Sequence, residues 1–138
     1  MIFQDKLIIA IDFDGTIVED AYPRVGKAKT FAFDTIKRLQ QDGHRLILWT
    51  YRCGKPLEEA VAFCKDNGVE FYAVNSSFPE EQFDISKSRK INADIFIDDR
   101  NVGGFLGWGE IYHLLSDPNF DPKSIEKKRG FLASLFKK

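Results

Sequence analysis

Two carboxylates stand two residues apart at the end of an apolar run, where Leu7-Ile8-Ile9-Ala10-Ile11 leads into Asp12-Phe13-Asp14-Gly15-Thr16. A short apolar run bounded by polar residues and Gly reads as a strand buried on both faces. In extended chain, side chains two apart share a side, so Asp12 and Asp14 face the same way. Gly15 lets the backbone turn, and Thr16 adds a hydroxyl just beyond. Uncompensated, such carboxylates concentrate negative charge where the dielectric is low. A divalent cation resolves that cost, and carboxylate oxygens suit Mg²⁺. Further along, Ile95-Phe96-Ile97 ends on a second acidic pair, Asp98-Asp99. Thr50 closes the apolar run Leu46-Ile47-Leu48-Trp49, and Lys87 and Lys90 lie a few residues upstream of Asp98.

The elements that must position these groups follow from periodicity. Residues 29–42 read as a helix, with Ala32, Phe33, Ile36 and Leu39 as its stripe and Gly43 as its terminator. Residues 45–50 read as a second strand. The next helix starts near Pro56, carries Leu57, Ala60, Val61 and Cys64 on one face, and stops at Gly68. Residues 69–74 read as a third strand and 94–97 as a fourth. Strands alternating with helices predict an α/β fold with a parallel sheet and right-handed crossovers. Ligands of such sheets bind beyond the carboxyl ends of the strands. Asp12, Thr50, Asn75 and Asp98 each stand at such an end, and Arg52 follows one closely. Arg52 suits phosphate or carboxylate through its planar fork. Residues 19–27, with Pro23 and Gly26, form a loop able to make a small flap over the site. Residues 100–109 are Gly-rich loop, 110–115 a short strand or helical turn, and Ser124 caps an amphipathic last helix.

The Asp12–Thr16 stretch, Thr50, Lys90 and the Asp98-Asp99 pair occur in the order of the haloacid dehalogenase-like (HAD) superfamily motifs, which they resemble. The resemblance covers roughly residues 7–100. It implies a three-layer Rossmann-like domain, a parallel sheet flanked by helices, and a Mg²⁺-dependent phosphomonoester hydrolase. In that chemistry a carboxylate attacks phosphorus, and the aspartyl-phosphate divides one hard step into two. By resemblance the nucleophile is Asp12, and Asp14 protonates the leaving alcohol and then activates water. The metal is held by the Asp12 side chain, the Asp14 backbone carbonyl and the acidic pair, with Asp99 the more direct ligand and Asp98 direct, water-mediated or orienting. Thr50 bonds a phosphoryl oxygen, and Lys90 offsets charge there. Lys90, eight residues before Asp98, is preferred over Lys87. Thr16, Arg52 and Asn75 are assigned to substrate. A carboxyl at position 14 separates this pattern from ion-pump members, which carry Thr there, and from dehalogenases. Both intervals in which family caps are inserted are short, so no large cap is expected. The open site would be covered by the substrate, the C-terminal segment or a second subunit, hence the expectation of a homo-oligomer.

The 138 residues suit one domain, with 101–138 as an extension packed on the body or on a second subunit. A net charge of −1 supplies no field for nucleic acid or a membrane surface. Two cysteines, Cys53 and Cys64, make neither a disulfide framework nor a metal site. No apolar leader or membrane-length run is present, which predicts a cytoplasmic protein. His44 and His113 lack catalytic partner patterns and are assigned structural roles. The competing reading is a non-catalytic phosphate- or Mg²⁺-binding domain. A phosphoryl-receiver domain also combines these residue types, but its acidic pair precedes the nucleophile, and here Asp98-Asp99 come last.

Overall fold

The computed structural model describes residues 6–121. Four strands, β1 (Ile8–Ile11), β2 (Arg45–Leu48), β3 (Ala73–Val74) and β4 (Ile95–Ile97), form one parallel sheet in the order β3-β2-β1-β4. Three helices accompany it, α1 (Ala32–Gln41), α2 (Gly54–Asp66) and α3 (Trp108–Leu115). The fold is α/β and Rossmann-like, and no large cap domain interrupts it. In register, Ile9 lies beside Leu46 and Ile95, and Ile11 beside Leu48 and Ile97.

Alternation along the strands divides the core. Ile9, Ile11, Leu46, Leu48 and Ile97 face a cluster that takes Phe33, Ile36 and Leu39 of α1, Ala60 and Cys64 of α2, and Trp108, Ile111 and Leu115 of α3. Ala10 and Ile47 face the other way, onto Ala73 and Ile91, with Phe96 and Trp49 alongside. All three helices therefore contribute to one core cluster. The chain order explains this. β1→β2→β3 steps repeatedly in one direction, so right-handed crossovers put α1 and α2 on the same face. The crossover to β4 runs the other way, and the helix expected on that face is replaced by the irregular segment 75–94.

Several boundaries differ from the sequence expectation for local reasons. α1 begins three residues late because Phe31 holds φ 65°, outside the helical region. β3 is short because the Val69 amide caps α2, donating to the Cys64 carbonyl at 2.9 Å. The ladder then starts at the Tyr72 amide, which donates to Leu46 O at 2.8 Å. Residues 110–115 belong to a full helix that begins at Trp108, a residue only 2% exposed. Trp108, Ile111 and Leu115 are the buried positions, an i, i+3, i+7 stripe. The proposed last helix from Ser124 lies outside the described residues. Among those described, no helix is long and apolar enough to cross a membrane.

Candidate functional site

The sheet ladder continues one residue past β1, β2 and β3, and this places the site. The Asp12 amide donates to Ile97 O at 3.0 Å, Trp49 to Ile11 O at 2.8 Å, and Asn75 to Leu48 O at 2.8 Å. From Phe13 the chain winds tightly. The amides of Thr16, Ile17 and Val18 all donate to the Phe13 carbonyl, at 3.2, 2.9 and 3.2 Å. Gly15 sits at φ +86°, and a Cβ there would lie 2.2 Å from Asp99 Oδ2. The turn therefore requires glycine twice over, for its dihedral and for the close approach of β4's acidic pair. Beneath the turn, the Trp108 indole N–H donates to Thr16 O at 2.8 Å.

Asp12, Asp98 and Asp99 each offer a carboxylate oxygen within 4.8 Å of one another. The Thr16 hydroxyl reaches Asp12 Oδ2 at 3.0 Å and Asp99 Oδ1 at 3.3 Å. Burial pushes the Asp12 carboxyl from 3.8 up to about 7; the negative charge of Asp98 and contact with Asp99 add to the rise, and the Thr16 hydroxyl opposes it. For Asp99, burial acts upward, but hydrogen bonds with Asp12, Asp98, its own backbone and Thr16 leave it below the usual carboxylate range. The cluster thus shares its negative charge badly, as three close carboxylates must. An all-oxygen donor set with such a deficit of positive charge fits a hard divalent cation.

Asp14 is placed differently. Both its oxygens accept from the Arg52 fork, Oδ2 from Nε and Oδ1 from Nη2, each at 2.7 Å. Arg52 is 1% exposed. Its Nη1 donates to Pro23 O at 3.0 Å and Pro56 O at 3.1 Å, and its Nη2 also to Arg24 O at 2.6 Å. All five guanidinium N–H groups are thereby engaged. The expectation that Arg52 faces substrate is corrected: the side chain is buried and ties the loop 19–27 and the start of α2 to Asp14. Asn75 is likewise used inside the fold. Its Oδ1 accepts the Thr50 amide at 2.8 Å, and it holds φ 53°, a turn conformation that asparagine tolerates.

Thr50 accepts the Arg52 amide on Oγ1 at 3.1 Å, which leaves its hydroxyl proton for another acceptor. It lines a cavity of about 850 Å³ together with Asp12, Asp14 and Asp98. Asp20, Tyr22, Trp49, Tyr51 and Arg100 complete the lining of this cavity. Lys90 is not brought to the acidic cluster. It is exposed, with Nζ 5.4 Å from the Phe96 ring centroid. No ion pair joins Lys90 or Lys87 to Asp12, Asp98 or Asp99 among the described residues. Both lysines lie on the exposed stretch 82–90 of the irregular segment 75–94, whose path chain order could not reveal. His44 packs in the core and accepts the Leu7 amide on Nδ1 at 3.0 Å.

The described part of the C-terminal segment, from residue 101 to 121, supplies no residue to the lining of this cavity. Phe105 packs edge-on against Trp108, with centroids 6.0 Å apart. Tyr112 lies under the Arg38 guanidinium and reaches Asp42 Oδ2. Sequence reasoning missed Trp108 as the support of the Asp12–Thr16 turn. Its helical stripe with Ile111 and Leu115 was the available signal, obscured by four nearby glycines.

No family model matches the chain, and no curated protein matches it. Among solved structures, a conserved protein from Bacteroides thetaiotaomicron is 48% identical, with a TM-score of 0.74. The match covers 97% of this chain and 100% of that one. At that identity over nearly all of this chain and all of that one, this chain belongs to the family of that conserved Bacteroides protein.

Proposed function

We propose that the protein is a Mg²⁺-dependent phosphomonoester hydrolase acting through an aspartyl-phosphate on Asp12. The observation that carries this reading is the meeting of Asp12, Asp98 and Asp99 within 4.8 Å at the carboxyl ends of β1 and β4. Asp14 and Thr50 open onto the same cavity. Asp12, Asp98 and Asp99 would hold the cation, and the Asp14 backbone carbonyl is the further ligand that the family resemblance implies. Bound there, the cation supplies charge neutralisation between nucleophile and phosphoryl oxygens.

The chain's own groups supply the rest. Asp12 attacks phosphorus as the oxygen–phosphorus bond to the alcohol breaks, and Thr50 donates its hydroxyl to a phosphoryl oxygen. Asp14 gives a proton to the departing alkoxide and later takes one from the water that cleaves the aspartyl-phosphate. Its two oxygens already accept from Arg52, an arrangement suited to the second role. Proton donation in the first requires that Asp14 take up a proton from solvent beforehand, on an oxygen that Arg52 has released.

A second reading, a phosphate- and Mg²⁺-binding domain without turnover, draws on one observation. Lys90 rests over Phe96 rather than beside Asp12. One experiment separates the two. Phosphate release is followed from sugar phosphates, nucleotides, small organic phosphates and phosphopeptides, with Mg²⁺ or chelator, for the parent protein and Asp12→Asn. Release that needs Mg²⁺ and vanishes in the variant is the expected result. Mg²⁺ binding with no release from any compound, and no phosphate on Asp12, selects the binding domain.

A further inference from the structure

The cavity is far larger than a phosphoryl group needs, and three aromatic side chains, Tyr22, Trp49 and Tyr51, line it. Tyr51 is 89% exposed and Tyr22 49% exposed, so neither ring adds much to the core. They meet edge to face, with centroids 6.1 Å apart at 64°. Tyr22 in turn packs on the buried Arg52 guanidinium, 5.3 Å from the ring centroid, and Arg52 packs on Phe13 at 5.1 Å. A continuous column therefore runs from the core through a fully bonded arginine to the rim. Trp49, also on the cavity, follows β2 directly and packs in the second core cluster. Aromatic rings left this open beside a cavity keep their faces free for a ligand. Flat π-systems stack on such rings, whereas a short alkyl group gains far less.

We infer that Tyr51 and Tyr22 form a stacking subsite for a flat ring carried by the leaving group, with a nucleoside monophosphate as the matching class. This deepens the hydrolase reading above and rests on it. The cavity volume of about 850 Å³ is within the range of ~300–1,000 Å³ typical of small-molecule sites. Among the described residues no large cap domain is present to recognise the leaving group, and Tyr22 and Tyr51 line the same cavity as Asp12 and Asp14.

The test compares adenosine and uridine 5′-monophosphates with ribose 5-phosphate. All three leave through the same primary alkoxide, so only the base differs. The expected result is a kcat/KM about tenfold higher for the nucleotides, on the scale of one base stacked on one ring. Tyr51→Ala should bring that ratio close to one, and Tyr51→Phe should keep it, since the ring face is what matters. Phenyl phosphate compared by KM with glycerol phosphate shows whether a simple aryl ring is accepted as well. A nucleotide-to-ribose ratio near one in the parent protein overturns the inference. So does an unchanged ratio in Tyr51→Ala. Labelling of Asp12 by acetyl phosphate, read by mass spectrometry, checks the hydrolase reading separately. Labelling without nucleotide preference removes only the stacking subsite; absence of both labelling and release removes the two together.

Discussion

Asp12 carries the main electrostatic burden of the site. In the metal-free protein its carboxyl is raised to about 7 by burial and by Asp98, so a proton competes with any cation for it. The sign follows directly. Above about 7 Asp12 is ionised and available; below it, binding a cation requires releasing that proton. Mg²⁺ affinity measured by titration calorimetry should therefore fall as pH drops from 8 to 5, by up to about tenfold per unit below the midpoint. Asp12→Asn should remove most of that pH dependence along with most of the affinity. A flat affinity across this range would count against the cluster as the cation site. Arg52 presents the opposite case, a buried charge whose every donor is used. Arg52→Met strands Asp14 and three carbonyls, and should cost about 3–5 kcal/mol of stability by urea unfolding, the scale of breaking a buried pair. The Asp12–Thr16 stretch and Asp98-Asp99 were legible in the sequence because neighbouring residues and strand ends place them. The Arg52–Asp14 pair was not, because it closes over 38 residues and depends on how a loop curls around a long side chain.

At the level of the element, the turn after β1 is held from two sides. Asp99 leaves no room for a Cβ at residue 15, and Trp108 holds Thr16 from beneath. Gly15→Ala meets both the left-handed backbone cost, about 1–3 kcal/mol, and the clash with Asp99. It should lower the melting temperature and weaken Mg²⁺ binding together. Trp108→Phe keeps most of the packing but leaves Thr16 O without its donor, and should cost about 1–3 kcal/mol. The strands and the first two helices were readable from hydrophobic spacing, with ends misplaced where Phe31 and Val69 adopt capping conformations. α3 was harder to read, since glycines at 103, 104, 107 and 109 argue against a helix that tertiary burial of Trp108 nevertheless enforces.

Over the whole molecule, the helices share one core cluster and the irregular segment 75–94 serves the opposite face of the sheet. Residues 82–90 of that segment are exposed throughout. Amide exchange should accordingly be fastest in this segment and slowest in β1 and β2, whose amides sit at the centre of the ladder. Lys90 and Lys87 ride on the same segment. If either serves Asp12 in the reacting state, Mg²⁺ with a phosphoryl mimic such as aluminium fluoride should slow exchange between residues 75 and 94. Unaltered exchange there, with the mimic bound, would show that neither lysine takes part.

The two tryptophans occupy complementary posts, Trp49 on the cavity wall and Trp108 beneath the Asp12–Thr16 turn. The protein therefore contains two built-in optical reporters. Trp49 emission should respond to whatever fills the cavity, and Trp108 emission should follow the integrity of the turn itself. With one indole replaced at a time, ligand entry and loop rearrangement become separately visible in real time, without any attached dye.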